Sequence, residues 1–175
     1  GYGHMVEVRP ESGPMPIAYR TPETLGADRY CVALAARELY GSPVIVIDCG
    51  TAMTVNVVGV DGSFIGGSIS PGLGTSLRIM HEKGAQLPAL VPRANPPVLG
   101  RDTAESMYSG VVQLARHGLE GMLRSIKEIT GPDTPVLLTG GDAELLQESG
   151  FVGVEIKDEK ILLRGLIFYL LLVSD

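Results

Sequence analysis

Three short apolar runs follow one another between residues 44 and 70, and only tight turns separate them. They are Val44–Ile47, Thr54–Val60 and Ser63–Ser70. Runs of this length, bounded by glycine and polar turn residues, are typical of β-strands rather than of helices. The dipeptide Asp61-Gly62 between the second and third runs is a strong signal for a hairpin. The sequence therefore predicts three antiparallel strands in direct succession.

Helices and strands alternate on either side of these runs. Before them, we expect a short strand at Val6–Val8 and a helix that begins at Thr21-Pro22 and restarts or continues through Ala27–Tyr40. After them, we expect a helix from Pro71 to about Lys83, a proline-rich loop over Leu87–Leu99, helices over Thr103–Ile129, Asp142–Glu148 and Glu159–Val173, and strands at Val136–Leu138 and Val152–Ile156. Three antiparallel strands followed by alternating helices and strands form the order of a ribonuclease H-like (actin-like) α/β domain with a mixed sheet. That domain is the repeated unit of the actin, sugar-kinase and heat-shock superfamily.

The charge of the chain bears on its partners. Its 175 residues carry a net charge of −6 and the 14 basic residues form no run, so we expect neither a nucleic acid nor an anionic membrane as a partner. Cys31 and Cys49 lack metal-type or C-x-x-C spacing, and we interpret them as reduced thiols of a cytoplasmic protein. Residues 1–5 resemble an expression scar with Met5 as a candidate initiator, which leaves one domain over residues 6–175.

The stretch from Ile161 to Val173 is the most apolar of the chain. It is too short to span a bilayer, and Arg164 interrupts it. Because apolar residues surround the expected helix on all sides, we expect it to be buried between layers or between subunits.

The segment Asp48-Cys49-Gly50-Thr51-Ala52-Met53-Thr54 joins the first two predicted strands. A hydroxyl-rich glycine turn at the end of a strand can bring backbone N–H groups to a phosphate while Asp48 faces a cation. An ordinary hairpin, in which the Asp and Thr side chains satisfy the geometry of the turn, explains the same residues. From the segment alone, both interpretations stay open.

Asp28 and Arg29 follow Gly26 at the start of a predicted helix. A carboxylate in this place can accept the proton of a hydroxyl that attacks a phosphoryl group. A guanidinium can hold a substrate carboxylate by two parallel hydrogen bonds. Adjacent Asp and Arg residues on a helix also form solvated surface pairs of little energetic value, so this pattern too has two interpretations.

Five motifs, taken in order, resemble the type III pantothenate kinases. They are Tyr19-x-x-Pro22-x-x-Leu25-Gly26-x-Asp28-Arg29, Asp48-x-Gly50-Thr51-Ala52-x-Thr54, Gly66-Gly67-x-Ile69-x-Pro71-Gly72, Thr139-Gly140-Gly141-Asp142-Ala143 and Leu163-x-Gly165-Leu166. Each motif is weak by itself, but five in the same order with compatible spacing cover nearly the whole chain. Asn56 departs from the acid that is often found at its place in the family.

The resemblance implies transfer of the γ-phosphoryl group of ATP to the primary hydroxyl of pantothenate, the first step of coenzyme A synthesis. It also implies ATP, Mg²⁺ and a monovalent cation, potassium or ammonium, as cofactors. The implied residue roles are a general base, Asp28; pantothenate contacts, Tyr19, Gly26, Ala27, Arg29 and, across a dimer interface, Thr103; ATP contacts, Gly50, Thr51, Gly140 and Gly141; and a monovalent-cation ligand, Asp48. Thr103 would also serve as the N-cap of the helix that follows it, and Gly140-Gly141 as a plain strand-to-helix turn.

The family begins with another ribonuclease H-like domain, whose Asp-x-Gly-Asn-Thr loop positions magnesium-ATP, and nothing before Tyr19 matches that domain. The resemblance therefore covers only the second half of the family's chain. Three explanations stay open: a subunit of a split kinase, a piece of a full-length kinase, or a non-catalytic relative that acts as an interaction or regulatory module. In each case we expect the isolated chain to bind ATP weakly, to be inactive, and to expose an apolar surface where the first domain packs. We also expect a homo-oligomer through residues 103–129, a separate subunit that carries the first phosphate loop, or both.

Overall fold

A five-stranded mixed sheet lies at the centre of the computed structural model, which describes residues 6–173 and so leaves the expected expression scar, residues 1–5, outside. The strands are β1 Val44–Cys49, β2 Ala52–Val58, β3 Phe64–Pro71, β4 Val136–Thr139 and β5 Ile156–Lys157. Their order is β3-β2-β1-β4-β5. β1, β2 and β3 pair antiparallel, β1 pairs parallel with β4, and β4 pairs parallel with β5. This is the mixed sheet of a ribonuclease H-like domain, as predicted.

Within residues 6–173, six α-helices surround the sheet. They are α1 Ala27–Tyr40, α2 Leu73–Lys83, α3 Thr103–Tyr108, α4 Leu114–Thr130, α5 Ala143–Glu148 and α6 Ile161–Val173. A π-helical turn, Ser109–Gln113, joins α3 to α4, so the long helix predicted here is interrupted. The side-chain amide of Gln113 donates to the carbonyl of Pro96 (2.7 Å) and so connects the proline-rich loop to the π-helical turn. None of the helices in the described part of the chain has the length and apolar character that crossing a membrane requires.

A predicted strand and a predicted N-cap are wrong, in both cases because a side-chain carboxylate accepts a hydrogen bond from a backbone N–H group. Of the strand predicted at Val152–Ile156 only Ile156 belongs to β5, which continues to Lys157, since the Glu155 carboxylate accepts the N–H of Val136 at 2.7 Å. The N-cap of α3 is Asp102 rather than Thr103, because the Asp102 carboxylate accepts the N–H of the third helical residue at 2.8 Å.

Aliphatic side chains on both faces of the sheet form the core. One cluster lies under α2, α4 and α5, and the other lies under α1. Alternation along β1 divides the two, with Ile45 and Ile47 in the first cluster and Val44 and Val46 in the second. Since α1 lies between the sheet and α6, it is buried continuously from Arg29 to Ala36.

α6 packs on α1 through a single stripe, which consists of Ile161, Gly165 and Tyr169. No side chain is tolerated at Gly165, because a Cβ atom would lie 2.1 Å from the carbonyl oxygen of Cys31. The Cys31 thiol is buried, and burial raises its pKa to about 11. The closeness of the two backbones explains why the motif around Gly165 carries a glycine.

The remainder of α6 is not buried between layers of the described chain, so of the two expectations only burial between subunits stays a prediction. Eight apolar residues of this helix are at least 36% exposed: Leu162, Leu163, Leu166, Ile167, Leu170, Leu171, Leu172 and Val173. The described residues cover only the stripe that faces α1. The apolar pattern therefore predicts the helix correctly, but it does not predict that most of its apolar side chains are exposed in the described chain.

The segment that runs beside α6 at the start of the described chain also differs from the prediction. Val6–Val8 forms no strand, since the backbone N–H of Arg9 donates to the Tyr169 hydroxyl of α6 at 3.0 Å and a 3-10 turn follows at Pro10–Ser12. The outer strand β3 pairs instead with Ile17 through an isolated bridge. Arg9 is thus bonded to α6, and residues 6–12 contribute no strand to the sheet.

Candidate functional site

Two glycine turns meet at the carboxyl ends of β1 and β4. The first, Gly50-Thr51, joins β1 to β2, and the second, Gly140–Asp142, joins β4 to α5. The N–H of Asp142 donates to the carbonyl of Cys49 at 2.9 Å and so ties the two turns together. These turns and the first turn of α2 are termed the loop side of the site.

The start of α2 holds the backbone of Thr51 in place. The Thr51 carbonyl accepts the N–H of Gly72 at 2.9 Å and the hydroxyl of Thr75 at 2.8 Å. Thr51 itself is exposed. The turn therefore presents a hydroxyl to solvent on a fixed backbone, which is what contact with a phosphate requires.

Gly140 lies directly against the end of β1. Its φ of +96° is a backbone conformation that favours glycine, and a Cβ atom here would lie 2.5 Å from both the nitrogen and the oxygen of Cys49 and 2.6 Å from Oδ1 of Asp48. The Cys49 thiol beneath this contact is buried. Burial, with the nearby carboxylates of Asp48 and Asp142, raises its pKa to about 12. The turn is thus packed so closely on β1 that only glycine fits.

Asp28 and Asp48, which are predicted separately from two motifs, lie within electrostatic reach of each other. Asp48 is half-buried near the end of β1, and Asp28 is exposed in the first turn of α1. Burial raises the pKa of Asp48, and the like charge of Asp28 raises it further. The fold therefore brings two carboxylates close to each other. They repel each other unless a cation binds near them or one of them is protonated.

The donor set around Asp48 suits a cation. None of the hydrogen bonds and ion pairs found among residues 6–173 gives the Asp48 carboxylate a donor, so its oxygens are free to act as hard ligands. The same residues contain no group of three or more His, Cys, Asp or Glu side chains that could hold a metal ion. A cation bound here would therefore take its remaining ligands from backbone carbonyls, substrate oxygens and water.

The first turn of α1 forms the opposite wall, termed the helix side of the site. The Asp28 carboxylate folds back to accept the N–H of Arg29 at 2.8 Å. Gly26 leaves the room for this, since a Cβ atom on it would lie 2.5 Å from Oδ1 of Asp28. Ala27 and Asp28 are both exposed, so a substrate hydroxyl can approach the carboxylate.

Arg29 points into the fold, in contrast to its neighbour Asp28. It is only 6% exposed, and its Nε donates to the side-chain oxygen of Asn56 at 2.7 Å. Its guanidinium also lies over the ring of Phe64, 5.5 Å from the centroid, and Tyr19 packs edge-on against the same ring. Tyr19 and Arg29, two predicted substrate contacts, thus belong to one packed cluster of side chains.

Asn56 and Phe64 are the parts of this cluster that sequence reasoning did not assign to the site. The side-chain amide of Asn56 also donates to the Thr54 hydroxyl at 3.0 Å. Thr54 and Asn56 are both buried in the middle of β2. The sequence pattern of β2 could have identified Asn56. Because side chains alternate between the two faces of a strand, Thr54 and Asn56 are polar residues on the face that otherwise packs on α1. Buried polar side chains on such a face indicate a partner, which here is Arg29.

Two cavities flank the Gly140-Gly141 turn. The larger, of about 550 Å³, is lined by both glycines and by Asp48, Glu144, Lys157, Glu159 and Leu162. The smaller, of about 360 Å³, is lined by Gly50, Thr51, Thr75, Arg78, Gly141 and Asp142. The larger cavity has three carboxylates against one ammonium group, whereas the smaller has one guanidinium and one carboxylate. Polyanionic phosphates are therefore better matched to the smaller cavity. Sequence reasoning missed Thr75, Arg78 and Lys157, which no motif marks.

Thr103 lies apart from the residues described so far. It is exposed in the first turn of α3, and it lines neither of the two cavities. Among residues 6–173, the fold thus brings together the predicted residues Gly26, Asp28, Asp48, Gly50, Thr51 and Gly140, and it leaves Thr103 on a different surface. A role for Thr103 at this site requires a second chain.

Comparison with known proteins gives matches over most of this chain. A family model described as type III pantothenate kinase matches residues 3–125. The type III pantothenate kinases of Hyphomonas neptunium and Paramagnetospirillum magneticum are 42% and 43% identical to this chain over 153 and 146 residues. These matches cover 87% and 83% of this chain but 60% and 56% of the two relatives. The chain thus spans little more than half the length of these curated relatives.

A solved structure also resembles this fold. It is a Campylobacter jejuni protein described as a Baf family transcriptional activator, with a TM-score of 0.62 and 21% sequence identity. The match covers 89% of this chain and 67% of that one. At this identity the similarity concerns the fold alone.

Proposed function

The chain belongs to the type III pantothenate kinase family, and from that membership we propose that it is one half of such a kinase. The complete kinase transfers the γ-phosphoryl group of ATP to pantothenate in coenzyme A synthesis, in the cytoplasm. The observation that carries the proposal is the pairing of Asp28 and Asp48 beside two glycine turns. Phosphoryl transfer depends mainly on positioning and on neutralising charge, and this arrangement is suited to both.

Asp28 acts as the general base in this proposal. Its carboxylate is exposed at the start of α1, and one oxygen is held by the N–H of Arg29. It accepts the proton of the pantothenate hydroxyl as that oxygen attacks the γ-phosphorus of ATP, and the bond to the β-phosphate oxygen breaks. The hydrogen bond fixes the orientation of the carboxylate.

The loop side holds ATP. Gly50 and Thr51 lie against the phosphates, and Gly140 and Gly141 form the wall on the adenosine side. The charge of Arg78 favours placing the phosphates in the smaller cavity, because the larger one has an excess of carboxylates.

Asp48 holds the monovalent cation, potassium or ammonium, and Mg²⁺ accompanies ATP. Support for a cation comes from the half-buried carboxylate, which has no donor among the described residues and lies near a second negative charge. A bound cation supplies charge neutralisation for the phosphates.

Pantothenate contacts Tyr19, Gly26, Ala27 and Arg29 on the helix side, with Thr103 contributed by a second copy. Since Nε of Arg29 donates to Asn56 and Nη2 to the carbonyl of Val55, its contact with a substrate carboxylate falls to Nη1. Exposed apolar residues on α4, with Leu114 and Ile129 the most exposed, support a dimer through residues 103–129.

The proposal also assigns the other half of the phosphate clamp to a polypeptide outside this chain. The chain spans 60% of the Hyphomonas neptunium relative and 51% of the Thermomicrobium roseum relative. With one of two phosphate loops, the isolated chain binds ATP weakly and is inactive. A non-catalytic interaction module is the second candidate, favoured by the exposed apolar residues of α6.

A reconstitution assay separates the two candidates. The chain is mixed with the part of the Hyphomonas neptunium kinase that its match leaves out, and phosphorylation of pantothenate is followed with γ-labelled ATP and K⁺. We expect label transfer by the mixture and none by either polypeptide alone. A complex that forms without any transfer of label would favour the interaction module and contradict the kinase.

A further inference from the structure

Arg29 is a buried cation whose side-chain contacts within the chain are all neutral. It is only 6% exposed, yet none of the ion pairs found among residues 6–173 includes it. The carboxylate of its neighbour Asp28 is bonded to the backbone N–H of Arg29 and not to the guanidinium. Because an enclosed charge without a counter-charge is unfavourable, an anion that binds to this guanidinium is favoured.

Two neutral acceptors in β2 fix the orientation of the guanidinium. Nε of Arg29 donates to Oδ1 of Asn56 at 2.7 Å, and Nη2 donates to the carbonyl of Val55 at 3.4 Å. The ring of Phe64 lies against one face of the group. Nη1 has no hydrogen-bond or ion-pair partner among residues 6–173 and is not enclosed. It is therefore the nitrogen that a ligand can reach.

Asn56 is itself held in place, so its side-chain oxygen has one direction. Its amide group donates to the Thr54 hydroxyl at 3.0 Å, which leaves the oxygen for Nε of Arg29. Across the sheet, Asn56 is paired with Gly67 of β3. A Cβ atom on Gly67 would overlap the carbonyl of Val55 and lie 3.0 Å from Nη2. The two strands thus provide an acceptor for the guanidinium and the space that it needs.

The neutral charge of Asn56 has a second consequence. An Asn and an Asp side chain both offer Nε an oxygen, but only Asp would also neutralise the charge of Arg29. With Asn56 in this place, the positive charge stays available to a ligand at Nη1. Asn56 is fully buried and does not reach a ligand itself. Its effect on a ligand therefore passes through Arg29.

We propose that Asn56 is a positioning residue for pantothenate, which directs Nη1 of Arg29 to the substrate carboxylate and, by being neutral, leaves the charge of Arg29 to that carboxylate. The inference rests on the proposed function for the identity of the substrate. It goes further, because it assigns selection of the carboxylate to a residue that lies outside the five motifs and outside contact with the substrate.

Isothermal titration calorimetry on the 175-residue chain without ATP tests the proposal independently of kinase activity. The two ligands are pantothenate and pantothenyl alcohol, in which a hydroxymethyl group replaces the carboxylate. Asn56→Asp keeps the acceptor and adds a negative charge, whereas Asn56→Leu removes the acceptor and adds no charge. Gln147→Glu is the matched control, since it adds the same charge on α5, on the other face of the sheet. Far-ultraviolet circular dichroism checks that all variants remain folded.

We expect the unmodified chain and the Gln147 control to bind pantothenate more tightly than the alcohol. Asn56→Asp and Asn56→Leu should each raise the dissociation constant for pantothenate about tenfold, because each weakens the contact of Arg29 with the carboxylate. The dissociation constant for the alcohol should change less than about threefold, because the alcohol has no carboxylate. Asn56→Asp, which retains the acceptor, decides the result if Asn56→Leu does not fold.

Three outcomes overturn the proposal. Equal weakening for both ligands would indicate a structural role alone. Unchanged affinity of Asn56→Asp for pantothenate would show that the charge at this position has no effect on the ligand. Absence of pantothenate binding by the unmodified chain would remove the substrate from this wall. The reconstitution assay is separate: a chain that binds pantothenate but supports no transfer of label contradicts the kinase and not the role of Asn56.

Discussion

The loop side of the site is built from main-chain atoms, whereas the helix side is built from packed side chains. On the loop side, the carbonyls of Cys49 and Thr51 accept hydrogen bonds from neighbouring turns, and Gly140 lies against β1 without a side chain. On the helix side, Arg29 is held by Asn56 and by the ring of Phe64. The two sides therefore depend on different features of the sequence.

This difference indicates how each side fails. A main-chain surface is sensitive to added volume, because a Cβ atom at the wrong place moves the backbone. A side-chain cluster is sensitive to lost partners, because a buried guanidinium without its acceptor is unfavourable. The following four substitutions test this contrast; the first has the largest expected effect, the next two have similar effects, and the last has the smallest.

Asp28→Asn should abolish general-base catalysis on the helix side. In the reconstituted kinase we expect turnover to fall about 10²- to 10⁴-fold, with a smaller change in the KM for pantothenate. Steady-state kinetics measure both quantities. Asp133→Asn, an exposed change in the turn before β4, serves as the matched control. Normal turnover of the Asp28 variant would rule out its role as the base.

Gly140→Ala should damage the loop side by steric overlap. The Cβ atom meets Cys49 at 2.5 Å, and the φ of +96° is unfavourable for alanine. We expect a loss of about 1–3 kcal/mol in the free energy of unfolding, measured with urea. Gly118→Ala, in α4 with nothing within 4 Å of the added atom, should leave stability unchanged or raise it. Equal stability of the two variants would contradict the close packing of this turn.

Asn56→Leu should weaken the helix side by removing the acceptor of Arg29. A hydrogen bond to a charged group contributes about 1.5–3 kcal/mol, so we expect a loss of this size in urea unfolding. Asn56→Asp restores an acceptor for Arg29, and its stability should lie closer to that of the unmodified chain. If both variants lost the same stability, the Arg29 contact would not be the cause.

Asp48→Asn should have the smallest effect, and it should raise stability. The pKa of Asp48 is raised above 3.8 in the fold by burial and by Asp28, so the folded state binds this proton more tightly than the unfolded state. Its contribution is favourable below the unfolded pKa of about 3.9 and is lost as the pH rises through the folded pKa. At pH 7 the variant, which cannot ionise, should unfold at higher urea than the unmodified chain.

The same comparison at about pH 3 is the control, since Asp48 is then mostly protonated in both the folded and the unfolded state and the difference should shrink. Added K⁺ should stabilise the unmodified chain at pH 7 but not the variant, if Asp48 is a cation ligand. A variant less stable than the unmodified chain at pH 7 would contradict the inference that burial and the charge of Asp28 make the ionised Asp48 carboxylate unfavourable in the folded state.

The parts of the fold that were predicted correctly are those set by local sequence. The three antiparallel strands follow from short apolar runs and from the turn at Asp61-Gly62, and the positions of the two glycine turns follow from the glycines at the ends of those runs. The short β5 was misjudged because the Glu155 carboxylate replaces a strand hydrogen bond, which no local pattern reveals. Likewise, the contact of Arg29 with Asn56 joins residues 27 positions apart.

The burial of α6 could not be predicted for a different reason. Apolar residues on all sides of a helix indicate that something covers it, but they do not indicate whether the cover belongs to the same chain. The structure shows that α1 covers one stripe and leaves the outer face open. The pattern therefore predicts an apolar helix, but it does not predict what covers the outer face of that helix.

The two cysteines have a practical consequence. Cys31 lies in α1 beneath α6, and Cys49 lies beneath the Gly140 turn, with pKa values of about 11 and about 12. At neutral pH neither forms enough thiolate to react with an alkylating reagent while it is enclosed, so modification requires a local opening. Each thiol therefore serves as a chemical probe of one region. Slower labelling of Cys31 would indicate that a partner has bound on α6. Slower labelling of Cys49 would indicate that the turns have closed around a nucleotide.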